Sequence, residues 1–253
     1  VWSAARRNRL RVTGAQKYSP NARRFDDAIK GLIGRKVLDD RPPDPHWESL
    51  NRKSKDPALH VAPIVDFDAL YIADSGKRLR LLLPFLSYWD IELRSLAEAD
   101  VAELAHKYAG DPPRQVYVLG GPGFGASGFE RLPVREAVNA LFSDVYWSDT
   151  ALGRKFDASW LAEFGRSPTS LAVHAYAAAQ RAAVSIKSAK EGADVRAALL
   201  GRHESVFGST EVDTGGEFLM PVRVLTISGE DGAIPADLPN AGADEDAPPS
   251  RSY

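Results

Sequence analysis

Strand-length apolar runs alternate with helical patterns along this chain, and that alternation leaves few architectures open. "VDFDALYIA" reads as a strand and "GKRLRLLLPFLSYW" as the helix behind it. "RQVYVLG" is a second strand, bounded by Pro112 and Pro113 before it and by glycines after it. Strand, helix, strand is the unit of a largely parallel sheet with helices on both faces, so the predicted fold class is α/β. In open sheets of this kind, ligands sit outside the carboxyl ends of the strands. The polar break Ala73–Asp74–Ser75–Gly76 falls at such an end. Asp74 and Ser75 are therefore candidate binding residues. They are also candidate helix caps, a compatible role because a helix N-terminus attracts anions.

Other segments fit the same scheme. Leu10–Thr13 reads as a short, weak strand. "SPNARRFDDAIKGLIG" predicts a helix capped by Ser19, with Pro20 at its first position, Phe25, Ile29, Leu32 and Ile33 at helical spacing, and Gly34 as its stop. Residues 39–63 are Pro-rich and charged, which predicts an excursion or flexible loop. Within the second strand-helix pair, Pro84 predicts a kink or a helix start nearby. Downstream come a helix over Glu98–Tyr108, a short helix in "PVREAVNAL" and a strand in "SDVYW". The helices "LGRKFDASWLAEFG" and "SPTSLAVHAYAAAQRAAVSIKSAK" follow, the second with Ser-Pro at its start. "DVRAALLG" is a further short helix, and "EFLMPVRVLTISG" is a strand broken by Pro221. From Asp231 the chain turns Pro-, Gly- and acid-rich, which predicts a disordered tail.

Composition narrows function by exclusion. The 253 residues carry a formal net charge of -2, so no global field favours nucleic acid or an anionic membrane. The basic N-terminal arginines read as a solvated helix face. With no cysteine there is no disulfide, thiolate metal site or Cys nucleophile. The five histidines, at 46, 60, 106, 174 and 203, stand apart without metal-ligand spacing, and His174 on its Ala-rich helix reads as a packing residue. No run approaches the roughly 20 apolar residues of a membrane span. The glycines Gly123, Gly125 and Gly128 match G-x-G-x-x-G behind a strand, yet Phe129, Glu130, Arg131 and Pro133 intervene before any helical pattern. A pyrophosphate site needs the helix to begin within the glycines, so the motif predicts a binding loop for another ligand. No carboxylate pair, triad or metal cluster stands out. The residues give no positive sign of catalysis, and no cofactor is expected.

The order of these pieces resembles the type I periplasmic binding proteins. "YSPNARRFDDAIKGLIG", "VDFDALYIADSGKRLRLLLPFLSYWDIE", "QVYVLGGPGF", "FDASWLAEFGRSPTSLAVHAYAAAQRA" and "VFGSTEVDTGGEF" carry the resemblance over residues 10–230. Within the family, the second stretch is most similar to the penicillin-binding-protein activators, lipoproteins that stimulate peptidoglycan synthases. The resemblance implies a Rossmann-like parallel-sheet lobe with helices of an incomplete second lobe. It divides the chain into an α/β domain (1–147), helices returning to the other lobe (148–205), a closing strand segment (206–230) and the tail (231–253). The opening "VWSAARRNRLRV" reads as the middle of a helix, so a fragment is expected, its export signal and lipid anchor upstream and its location periplasmic. The expected partner is a peptidoglycan synthase; the alternative is a transporter substrate-binding protein for amino acids, with an ABC permease as partner. Family ligand contacts fall on the loops after Leu70–Ile72 and Val116–Leu119, here Asp74, Ser75, Gly121 and Phe124. Amino-acid receptors offer an acid from the second loop; this chain has "GGPGFG" there, which favours the activator or a different ligand.

Overall fold

Four of the expected strands meet in one sheet. The structure, a computed structural model, describes residues 2–38, 41–94, 98–108, 113–124, 135–146, 148, 150–189, 194–229 and 232–237. β1 (Ala69–Ile72), β2 (Tyr117–Gly120) and β3 (Leu141–Asp144) run parallel in that order. β7 (Arg223–Ser228) adds antiparallel to β3, and β8 (Gly232–Pro235) pairs antiparallel with β7 at the edge. The fold is α/β with a parallel-rich sheet, as the alternation predicts.

The core forms where helix period meets strand period. Phe25, Ile29 and Ile33, four apart, bracket α2 (Asp26–Leu32), and Leu79, Leu83 and Leu86 line one face of α4 (Gly76–Tyr88). They pack in one cluster with Ile72, Val118, Phe142, Leu225 and Ile227 from the sheet. Pro84 lies inside α4, exposed on its outer side, so the helix continues past it to the C-cap Trp89. The opposite face of the sheet is less covered: Tyr71, Tyr117 and Val224 are 43%, 38% and 39% exposed. The alternation of strands and helices predicts helices on both faces, and the structure differs on this one.

The chain leaves this sheet after Asp144 and returns at Arg223, and these two residues are register partners. Between them α6 (Ala151–Phe164), α7 (Ser170–Ser188) and α8 (Val195–Leu199) precede a small antiparallel sheet of β4 (Gly201–Ser205), β5 (Gly208–Val212) and β6 (Phe218–Leu219). Phe156, Val173, Ala177, Val206 and Phe207 form a second core there. The expected closing strand is thus divided at Pro221 between the two sheets.

Several local expectations are corrected. Leu10–Thr13 forms no strand and joins neither sheet. α2 begins at Asp26 rather than Pro20, and Ser19 Oγ instead accepts from Asn21 N–H in a turn. The excursion contains α3 (Pro45–Leu50), capped by Asp44, and a 3-10 turn, Pro57–His60, capped by Asp56. The third strand is "LFSD" rather than "SDVYW", since Phe142 fills the core. The expected helix before it is a 3-10 turn, Arg135–Ala137. Thr169, not the Ser-Pro pair, caps α7 by accepting from Ala172 N–H. The tail is ordered at its start: β8 pairs with β7, and Ala233 is buried. Pairing with an available edge outweighs the polar composition there. Residues 238–253 lie outside the described residues.

Candidate functional site

The two loops singled out in the sequence lie against each other at the carboxyl ends of β1 and β2. A β-carbon placed on Gly123 would sit 2.4 Å from the Asp74 carbonyl oxygen and 2.6 Å from Ser75 Cβ. Only glycine allows this approach. A β-carbon on Gly121 would sit 3.3 Å from Tyr71 Oη, so that hydroxyl stands beside the second loop. Gly125 and Gly128 of the glycine motif lie outside the described residues.

Asp74 is the structural centre of this edge. Its side chain is only 3% exposed. It accepts from Tyr18 Oη at 2.7 Å, from Ser75 N–H at 2.7 Å, and from Arg78 Nε and Nη2. Arg78 in turn donates to the Pro20 carbonyl. Burial pushes the Asp74 carboxyl upward, but hydrogen bonds from Arg78, Ser75 N–H and Tyr18 outweigh it and hold the group below the usual carboxylate range. The Tyr18 hydroxyl is raised, by burial first and then by Asp74. The carboxylate therefore clasps residues 18–20 to the first turn of α4.

The four predicted residues separate into different roles. Ser75 occupies the N-cap position of α4 with extended backbone, yet its side chain makes no capping hydrogen bond; it is exposed at the edge. Gly121 is half-buried beside Tyr71. Phe124 is a correction: its ring is fully buried, stacked on Phe142 at 5.9 Å, and a β-carbon on Gly120 would strike it at 2.1 Å. Phe124 is a core residue, because the turn after β2 folds it back beneath the sheet edge. Sequence reasoning also missed Tyr18, 56 residues from Asp74, and Tyr71, whose alternation places it on the open face. Asp144, at the end of β3, supplies an acid to the same edge; burial raises its carboxyl despite hydrogen bonds from Tyr146 and Val145 N–H.

Among the described residues, grooves also lie away from this edge. One of about 450 Å³, lined by Glu92, Arg94, Lys107 and Arg135 among others, sits beside Leu93, which bridges to Val116 just before β2. It therefore lies toward the amino ends of the strands, and acids (Glu92, Asp100, Glu103, Glu136) and bases (Arg94, Lys107, Arg135) mix along it. The other, about 390 Å³, lies between α6 and α7 and is lined by Phe156, Trp160, Phe164 and Tyr176. Among the described residues no group of His, Asp or Glu has the arrangement to hold a metal ion.

No family model and no curated protein matches the sequence. Solved structures do match the fold. An amino-acid ABC transporter substrate-binding protein from Pseudomonas fluorescens superposes with a TM-score of 0.55 at 14% identity, over 94% of this chain and 55% of its own. The likeness is one of fold: the chain shares its α/β architecture with about half of that substrate-binding protein. A branched-chain amino-acid binding protein from Streptococcus pneumoniae, in complex with isoleucine, matches this lobe at 0.53 and 15% identity, over 92% and 56% of the two chains. A solute-binding protein from R. palustris, in complex with benzoate, matches at 0.53 and 14%, over 92% and 51%. The chain spans about half the length of these solved structures.

Proposed function

We propose that this chain is a non-enzymatic binding module, part of the solute-binding component of an ABC transporter, acting in the periplasm with a permease as partner. The observation that carries the reading is the packing of the Gly123 turn against Asp74 and Ser75, which builds one edge from two strand ends where α/β sheets hold ligands. The solved structures reported above are transport binding proteins, which favours transport over activation of a peptidoglycan synthase. Among the described residues no helix is long and apolar enough to cross a membrane.

The ligand class we infer is a small carboxylate. Isoleucine and benzoate, held by two of the structural relatives, share that group. At this edge the Asp74 carboxylate is already occupied by Arg78, Tyr18 and Ser75 N–H. Ser75, the Tyr71 hydroxyl and the first backbone N–H groups of α4 offer donors instead. Calorimetric titration of the full-length protein with isoleucine and with benzoate tests the reading. Binding of either, lost in a folded Ser75→Trp variant, is the expected result. No heat from either carboxylate, or unchanged affinity in the variant, overturns it.

A further inference from the structure

The acids on the strand ends of the ligand edge, Asp74 and Asp144, are both occupied. Asp74 Oδ1 accepts from Ser75 N–H and from Arg78 Nε and Nη2, and Oδ2 accepts from Arg78 Nε and Tyr18 Oη. Asp144 is half-buried, and its Oδ1 accepts from Val145 N–H at 2.7 Å and from Tyr146 N–H at 3.2 Å. Asp157 of α6 accepts from the Tyr146 hydroxyl. The turn after β2, residues 121–124, carries no acid. Arg78 and Arg223, the register partner of Asp144, set two cations against the two carboxylates of the strand ends.

What the edge offers is donors. The Ser75 hydroxyl is exposed and makes no capping bond, so the first N–H groups of α4 keep no side-chain acceptor from it. Tyr71 Oη stands beside Gly121, where a β-carbon would come within 3.3 Å of it. Hydroxyls and helix N–H groups match a carboxylate. They do not match an ammonium, which has three donors and no acceptor. An α-amino acid held here by its carboxylate brings its ammonium to the same edge, one carbon away, where the acids are already spent. A cation that loses water without gaining an acceptor pays a desolvation cost.

We propose that this edge selects carboxylates that carry no ammonium group, and that Arg78 is the positioning residue that sets the preference by occupying Asp74. The inference rests on the reading of the edge as a carboxylate site and names the class within it: monocarboxylates rather than α-amino acids.

Calorimetric titration of the full-length protein with 3-methylpentanoate and with isoleucine, which differ only by the ammonium group, tests the selectivity. The ammonium-free acid should bind at least about 100-fold more tightly, the effect of one charged group left unpaired. Arg78→Ala uncovers the Asp74 carboxylate and should shrink that ratio at least about tenfold. A merely structural role for Arg78 would weaken both ligands alike and leave the ratio unchanged. Tyr18→Phe, which removes the other side-chain donor to Asp74, should move the ratio in the same direction and serves if Arg78→Ala does not fold. Isoleucine binding as tightly as 3-methylpentanoate overturns the proposal and leaves the carboxylate reading standing. No heat from either of them or from benzoate overturns both. An unchanged ratio in folded Arg78→Ala overturns the role of Arg78.

Discussion

Arg78 grips both carboxylate oxygens of Asp74: Nε lies 3.0 Å from each, and Nη2 donates to Oδ1 at 2.8 Å. The two residues stand one helical turn apart at the start of α4, and Tyr18 closes the arrangement from 56 residues away. A planar guanidinium held this way is more than a surface pair, because the carboxylate it meets is buried.

Asp74→Ala should lower stability by about 2–3 kcal/mol, since it leaves Tyr18 and Arg78 without their acceptor. Tyr18→Phe should cost about 1 kcal/mol. Because both act through one network, the double variant should cost less than the sum by at least about 0.5 kcal/mol. Urea unfolding of the four proteins measures this; strict additivity would mean that Tyr18 and Asp74 do not share the clasp.

The same clasp gives a pH dependence with a defined sign. The folded Asp74 carboxyl is held below its ordinary value, so its contribution is complete above the unfolded pKa of about 4 and disappears as pH falls through the lower folded value. The stability gap between the natural chain and Asp74→Asn should be constant from pH 6 to 8, about one plateau, and shrink below about pH 4. A gap that widens in acid contradicts this account.

Gly123→Ala should be costlier than an ordinary loop substitution, about 1–3 kcal/mol, because the added carbon strikes backbone at Asp74 rather than a yielding side chain. It should also weaken ligand binding at Ser75 by pushing the two loops apart. Ser75→Ala should cost under about 0.5 kcal/mol, as its hydroxyl caps nothing. Thermal midpoints of the two variants, reversed in order, would show the loops to be independent.

Arg35 and Asp90 pair at 2.8 Å in the core, with Arg35 fully buried and also bonded to the Val61 and Trp89 carbonyls. Burial draws the Arg35 guanidinium down and the Asp90 carboxyl up, each against the pull of its partner. Asp90→Ala should cost about 3–5 kcal/mol by stranding the guanidinium. Replacing both, Arg35→Met with Asp90→Leu, should cost clearly less than the single change. Denaturant midpoints decide it; a double variant weaker than Asp90→Ala would show that Arg35 acts mainly through the two carbonyls.

The sequence by itself determined the α/β class, the alternation that makes the sheet parallel-rich, and the strand-helix junction at Asp74 and Ser75. These are legible because period and punctuation act over a few residues: β1 and β2 end at polar or glycine breaks, and α4 repeats leucine at helical spacing. Tertiary structure decided the rest. Phe124 sits in a loop by sequence, but whether its ring meets ligand or core depends on Phe142, which lies on another strand. By sequence Asp74 is a candidate binding residue or cap; Tyr18 and Arg78, brought to it by the fold, make it the centre of a clasp. β8 exists because β7 leaves an edge to pair with, which no local composition announces. The reason is common to all three: a side chain's burial and its hydrogen-bond partner are set by neighbours distant in the chain, whereas propensity is set by neighbours within a turn or a strand.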